Sequence, residues 1–326
     1  MHPPLSRRQL AALLASSLAL LSAAPASAQD YPAKPITLVV GYPPGGSTDL
    51  MGRLVGAELA TRLGQPVVIE NLGGAGGTIG AQKVANAAAD GYTLLVGASN
   101  ELAIAKLVAK SVKYSQANFT PIGLIGSQPL VLVASTATGV KNANDFTQLV
   151  KKNPGKFSYG SSGVGTALHL AGEMVKEQAG LFMTHIPYRG VAPLTNDLVG
   201  NNLEFGVFVL SSGLPHIKSG KVVALGTTAA KRAPATPDVP ALAEFPQFKN
   251  VNIESWFALV GPAKLPQPVV NRLKKALNET LQSPDFRKKM AAAGSSVAAP
   301  DVNLEQFWRD EVAKYTKIVQ FAKIEE

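Results

Sequence analysis

The 326-residue chain carries 31 Lys and Arg against 22 Asp and Glu, a formal charge of +9, and no cysteine. The missing thiols exclude disulfides, thiolate metal sites, a cysteine nucleophile and a lipid-bearing cysteine. The positive charges are scattered and aromatic residues make up only 6%, which argues against a nucleic-acid surface.

Arg7 and Arg8 precede an apolar run from Leu10 to Leu21, and Ala26-Ser27-Ala28 follows as a small-x-small cleavage pattern. That order is expected of a signal peptide over residues 1–28, leaving a mature chain from Gln29. Ser6-Arg7-Arg8-Gln9-Leu10 fits twin-arginine export as well as the general secretory route. The run is too short to be retained as a membrane span. Removing the two arginines takes the charge from +9 to +7, which still favours the approach of anions. Core burial must then hold the exported chain together, and 46% hydrophobic residues are enough for one large or two modest domains.

From Ile36 onward, short apolar strands alternate with helical patterns, as in a parallel α/β sheet with helical crossovers. Strands are expected at 36–40, 67–69 and 92–96. A helix carries Met51, Val55, Leu59 and Leu63 at i+4 spacing and ends at Gly64; another spans 80–88. Further strands are expected at 130–133, 157–159, 184–186, 204–209, 222–226 and 256–260. Near the C-terminus Val270, Leu273, Leu277 and Leu281 share a helix face, Ser283-Pro284 reads as an N-cap, and Asn303 with Gln306 resembles a capping box. Leu304, Trp308, Val312, Tyr315 and Val319 continue as a core-packing stripe. The segments 121–134 and 252–261 are extended and too apolar for flexible linkers. Read as strands crossing between domains, they divide the chain into lobe one, 29–128 plus 253–326, and an inserted lobe two, 129–252.

Three glycine-rich turns lead from a strand into a helix. Gly41-Tyr42-Pro43-Pro44-Gly45-Gly46-Ser47-Thr48-Asp49 is the first, Ser161 to Thr166 with His169 beyond it the second, and Tyr188 to Pro193 the third. In open α/β sheets, ligands bind beyond the carboxyl ends of strands, where such turns gather. Each turn offers backbone N–H groups at a helix N-terminus, and glycine lets a ligand approach that backbone closely. The candidate ligand residues are Tyr42, Gly45, Gly46, Ser47, Thr48 and Asp49 from the first turn. Ser161, Gly165, Thr166 and His169 come from the second and Gly190 and Ala192 from the third. The same residue types also suit ordinary capped connections, and a histidine one turn into a helix often satisfies a local backbone group.

Other chemistries find little support. No glycine precedes Lys-Ser or Lys-Thr as a phosphate loop requires, and G-x-G-x-x-G fails at Ile79 and at Leu168. Gly97-Ala98-Ser99 continues to Glu101, so no nucleophile elbow forms there. His169, His185 and His216 are too dispersed for a metalloprotease motif. The rival reading is an exported hydrolase using a serine within 161–166, disfavoured because no histidine–acid partner is suggested. Binding without catalysis, metal or cofactor is the expectation.

Val40 to Asp49, Glu70-Asn71 with Gly74-Ala75-Gly76-Gly77, and Asp90-Gly91-Tyr92-Thr93-Leu94-Leu95 resemble the Bug family of extracytoplasmic receptors of tripartite tricarboxylate transporters. So do Ser158 to Ser161, Gly163 to Thr166, His169 to Glu173, His185 to Gly190 and Pro237 to Pro240, in the family's order. The resemblance covers the chain after Tyr31. It implies a type II periplasmic-binding-protein fold, two α/β lobes closing on a small organic acid, and a periplasmic monomer that has a membrane permease as partner or serves as a sensor. It also implies that Tyr42–Asp49, Ser161–Thr166 and Gly190–Ala192 hold a carboxylate, partly through water. Leu72 and Val223 stand where the family often has basic residues, and Phe208 where an acid is common. Phe208 and Ser99 are then expected near the distal end of the cleft. An aromatic face there favours an aliphatic or aromatic carboxylate over an amino acid or citrate, because apolar burial contributes about 25 cal/mol per Å².

Overall fold

The apolar run Ile36–Val40 forms β1, which pairs in parallel with β2 (Val67–Asn71) and β3 (Thr93–Ala98). The structure, a computed structural model, describes residues 31–324; the expected signal peptide lies outside the described residues. Helix α1 (Ser47–Leu63) connects β1 to β2 and buries Met51, Val55, Leu59 and Leu63 against the sheet. A Cβ on Gly52 would lie 2.6 Å from Val40 Cγ2, so α1 sits closer to the sheet than a side chain there would allow. Gly64 ends α1 with φ +70°. Helix α2 (Thr78–Ala85) stops three residues before the expected Ala88, as the Ala87 N–H turns back to Val84 O. After β3 the chain makes a π-helical turn, Asn100–Ile104, and a short helix α3 (Ala105–Val108), neither of which the hydrophobic pattern signals.

Strand β4 (Phe119–Ser135) spans the extended segment expected at 121–134 and contains the shorter strand expected at 130–133. It pairs antiparallel with β9 (Glu254–Pro262) along Phe119–Pro129. It then pairs with β7 (Phe205–Val209) and β8 (Val222–Thr227) along Leu130–Ser135. Its prolines lie where a missing N–H costs least: Pro121 at a register shift and Pro129 where the partners change. Strands β5 (Ser158–Ser161) and β6 (Thr184–Pro187) run parallel beside β7. The order is β2-β1-β3-β9-β4-β7-β5-β6, with β8 and the two-residue β10 (Ser296–Val297) also on β4. The wholly parallel sheet expected from the alternating pattern is therefore corrected. The flanks are parallel, and the pairs made by β4 and β9 are antiparallel.

Helices α4 (Ala143–Lys152), α5 (Ala167–Ala179), α6 (Val191–Val199) and α7 (Leu210–Lys218) cover the β5–β7 side. Pro215 inside α7 is a sequence-level helix breaker, which hides that helix from pattern reading. Helices α8 (Gln267–Gln282), α9 (Pro284–Ala292) and α10 (Leu304–Ala322) complete the chain. Ser283 and Asn303 cap α9 and α10 as expected, although the Gln306 side chain bonds to Asp310 and does not complete a capping box. Trp308 on α10 is fully buried and donates from Nε1 to Leu102 O at 2.8 Å. One continuous core joins Val39 and Leu95 of the first strand group to Tyr159 and Phe205 of the second. Among the described residues, no helix is long and apolar enough to cross a membrane.

Candidate functional site

The first turn is built around Asp49. Its carboxylate accepts from the Gly45 N–H, Arg53 Nε and Asn71 Nδ2, each at 2.9 Å. Asn71 Nδ2 also lies 2.9 Å from Tyr42 O, which ties the end of β2 to the turn. Burial raises the Asp49 pKa, but the bonds from Arg53, Gly45 and Asn71 outweigh it and hold the carboxyl below its ordinary value. Through these three bonds the buried Asp49 carboxylate shapes the loop. Gly45 takes φ +89°, which favours glycine, whereas Gly46 has an ordinary φ of −82°. No side chain caps α1 at Gly46, so the backbone donors at Ser47 and Thr48 stand at an uncapped helix N-terminus.

In the second turn, side chains hold several of the backbone groups. Ser161 Oγ accepts from the Gly163 N–H, donates toward Gly163 O, and lies 2.7 Å from His185 Nε2. Thr166 Oγ1 donates to Gly163 O and accepts from the His169 N–H, capping α5. The Gly165 N–H donates to His169 Nδ1 at 3.0 Å, and the His169 and His185 rings stack 3.7 Å apart. His169 is pushed down to about 4, chiefly by burial, with Glu173 opposing. Burial, then His169 and Lys176, push His185 down to about 3. Both are thus neutral, and His169 supports the turn through Nδ1. Tyr159 Oη and Lys176 Nζ both bond Glu173 Oε1 at 2.7 Å, closing a buried polar cluster behind the loop.

The third turn resembles the first. Gly190 caps α6 with φ +104° and no side-chain hydrogen bond, leaving the first turn of α6, with exposed Ala192, uncapped. Its N–H donates to Ser162 O at 3.3 Å, which fastens the third turn to the second.

Asn100 joins the first turn to the second. Its Oδ1 accepts from the Ala167 N–H, the first amide of α5, at 2.8 Å. Its Nδ2 donates to Tyr42 Oη at 3.1 Å. Close by, a Cβ on Gly165 would lie 2.4 Å from Val108 Cγ2. The three turns are thus brought into one bonded assembly. Two surface grooves, of about 390 and 220 Å³, lie elsewhere, around Lys274 and Asp301 and around Trp256 and Phe307; neither includes a residue of the turns.

Two expected distal residues are not part of that assembly. Phe208 is fully buried among Val131, Val133, Leu194, Leu198 and Leu210, on the side of β7 covered by α6 and α7. This corrects its expected place in the cleft, and the selectivity argument built on its aromatic face falls with it. Ser99 ends the β3 region wholly buried, and its Oγ has no hydrogen-bond partner among the described residues. Four residues behind and between the turns, Asn100, Glu101, Asn71 and His185, brace them and were not singled out in the sequence. Glu101 offered the one readable signal, an acid in an otherwise apolar stretch after β3. The other three act through contacts distant in sequence. His185 supplies the Ser161 partner that motif searching did not find. Ser161 is nevertheless fully buried, and no acid bonds to His185 among the described residues.

Two strand groups sharing β4, with the turns before α1, α5 and α6 bonded together, form an α/β framework suited to holding a small solute. A model of the tripartite tricarboxylate transporter family receptor matches residues 51–324, and the chain belongs to that family. It is 35% identical to protein BugT of Bordetella pertussis, over 91% of this chain and 92% of that one. Among solved structures it resembles R. palustris Rpa4515 with adipate, with TM-score 0.86 and 30% identity over 91% of this chain and 99% of that one. It also resembles MatC from Rhodopseudomonas palustris with bound malate, with TM-score 0.80 and 30% identity over 89% of this chain and all of that one. The fold is that of periplasmic binding proteins, and the chain is a solute-binding receptor rather than an enzyme. These comparisons give the serine-hydrolase alternative no support.

Proposed function

We propose that this receptor captures a small organic carboxylate between the uncapped N-termini of α1 and α6, with the second turn as a rigid wall. The observation that carries this reading is the contrast among the turns. In the second the Gly163 and Gly165 N–H groups are taken by Ser161 and His169, whereas no side chain caps the first at Gly46 or the third at Gly190. Uncapped helix N-termini present N–H groups and partial positive charge to an anion without a lysine or arginine. Arg189, exposed in the third turn, adds a cation beside them. We take 29–128 plus 253–326 and 129–252 as the closing lobes. The neighbours holding adipate and malate make an aliphatic dicarboxylate the first class to test. The proposed setting is the periplasm, after signal-peptide cleavage, with a monomer serving a membrane permease or a sensor.

Mass spectrometry of small molecules released from freshly purified, denatured protein tests this directly. A near-stoichiometric organic acid supports the reading. A released cation or neutral sugar, with no response to adipate or malate in titration, overturns it.

A further inference from the structure

Glu101 lies in the π-helical turn behind the first turn, with 1% of its surface exposed. Its Oε1 accepts from the Ala98 N–H at 2.6 Å, and its Oε2 lies 2.7 Å from Tyr42 Oη. Tyr42 Oη also lies 2.8 Å from Gly76 O and 3.1 Å from Asn100 Nδ2. The Asn100 orientation is set by its other end, since Oδ1 accepts from the Ala167 N–H.

Counting protons fixes the state of the cluster. A phenol has one proton to donate and two lone pairs to accept with. Gly76 O can only accept, and Asn100 Nδ2 can only donate. If Glu101 were ionised, Tyr42 could satisfy Glu101 or Gly76 but not both, and two oxygens would face each other without a proton. If Glu101 carries a proton on Oε2, every contact is satisfied: Glu101 and Asn100 donate to Tyr42, and Tyr42 donates to Gly76.

The surroundings agree. Burial raises Glu101 to about 7, more than the bonds from Ala98 and Tyr42 lower it. Tyr42 is pushed well above its ordinary value by burial and by Glu101, so it keeps its proton. Tyr114 faces the turn and donates to the backbone O of Glu101 at 2.8 Å. The charged groups on the packed elements are engaged elsewhere: Lys83 with Glu70, Lys106 with Val112 O, Arg309 with Glu305 and Lys314 with Glu311.

We propose that Glu101 donates to Tyr42 as a neutral carboxylic acid and that anion capture requires this form, so that capture by receptor whose Glu101 is ionised takes up one proton from solvent. The chain Glu101–Tyr42–Asn100–Ala167 links that proton to the contact between the two strand groups. An anion arriving at the first turn adds negative charge near the Glu101 site and favours the protonated form further. The binding part of the proposal rests on the carboxylate reading above; the protonation part stands on the cluster alone.

Titration calorimetry with adipate and malate, in buffers of different ionisation enthalpy, tests the coupling. Wild-type affinity is expected to fall as pH rises above about 7, toward a limiting slope of about tenfold per pH unit, with net proton uptake. Glu101→Gln keeps a donor toward Tyr42 and an acceptor for Ala98, so it should match the acid-side affinity and lose the pH dependence. Infrared spectra of ligand-free protein at about pH 6 test the protonation, which lies below the Glu101 value and calls for an acid C=O band absent from Glu101→Gln. Tyr42→Phe, should the Gln variant not fold, is expected to shift that band. A missing acid band, or a pH dependence unchanged in Glu101→Gln, overturns the proposal. If the band is present but neither acid binds at any pH, the carboxylate reading and the coupling both fail, while the neutral Glu101 stands.

Discussion

Asn100→Ala removes a side chain that bonds both the first turn and α5. The change deletes the bond from the Ala167 N–H at 2.8 Å and the bond to Tyr42 Oη at 3.1 Å. Each is part-buried, and a net hydrogen bond contributes about 0.5–1.5 kcal/mol, so the pair supplies roughly 1–3 kcal/mol to the joined arrangement. Thr166 still caps α5 through the His169 N–H, so the helix itself should persist. At about 1.4 kcal/mol per factor of ten, weakened closure lowers affinity for a bound acid about 5- to 140-fold. Calorimetry with adipate or malate measures the loss. Small-angle scattering of the ligand-free variant should show a larger radius of gyration. Affinity within twofold of wild type, together with unchanged scattering, would refute a closing role for Asn100.

Gly165→Ala combines φ +67° with a Cβ 2.4 Å from Val108 Cγ2, so it should cost about 1–2 kcal/mol of backbone strain and also hold the strand groups apart. Calorimetry should show weaker binding; unchanged affinity would contradict the contact. Gly46→Val has ordinary φ and no neighbour nearer than 3.9 Å, so its unfolding midpoint should stay at the wild-type value while binding is lost. Binding at wild-type affinity would put the site elsewhere. Phe208→Ala should cost about 3–5 kcal/mol in urea denaturation without altering ligand preference, since Phe208 fills the core beneath α6 and α7. His169 and His185 are neutral in the fold, with values depressed to about 4 and about 3, whereas unfolded histidine titrates near 6.5. Their stabilising contribution is therefore present above about pH 6.5 and lost as pH falls toward 4. His169→Gln, which keeps an acceptor for the Gly165 N–H, should flatten that acid limb of stability. An unchanged limb would assign it to other groups.

The apolar runs that became β1, β3 and β9, and the i+4 spacing of α1 and α8, were legible because local pattern and tertiary burial demand the same residues. The glycine turns were legible for the same reason: strand-to-helix reversals require those residues wherever they occur. What the sequence could not reveal is which donors in those turns remain available. Asn100 meets Ala167 across 67 positions and Tyr42 across 58. Nothing local to Gly163–Thr166 announces that His169 and Ser161 occupy its amides. Phe208 was placed near the cleft by the family resemblance, and alternation could not check that placement, because all five residues of β7 are buried and both strand faces are covered. The long apolar run of β4 was legible as a crossing strand at 121–134, but not the two sets of partners it serves.

The most direct test of carboxylate capture is a crystal structure of the protein saturated with an acid that binds, adipate or malate first. The expected result is a ligand carboxylate within hydrogen-bonding distance of the Ser47 or Thr48 N–H and of the first amides of α6. An acid seated instead in the groove around Lys274 and Asp301, with the three turns untouched, would contradict it.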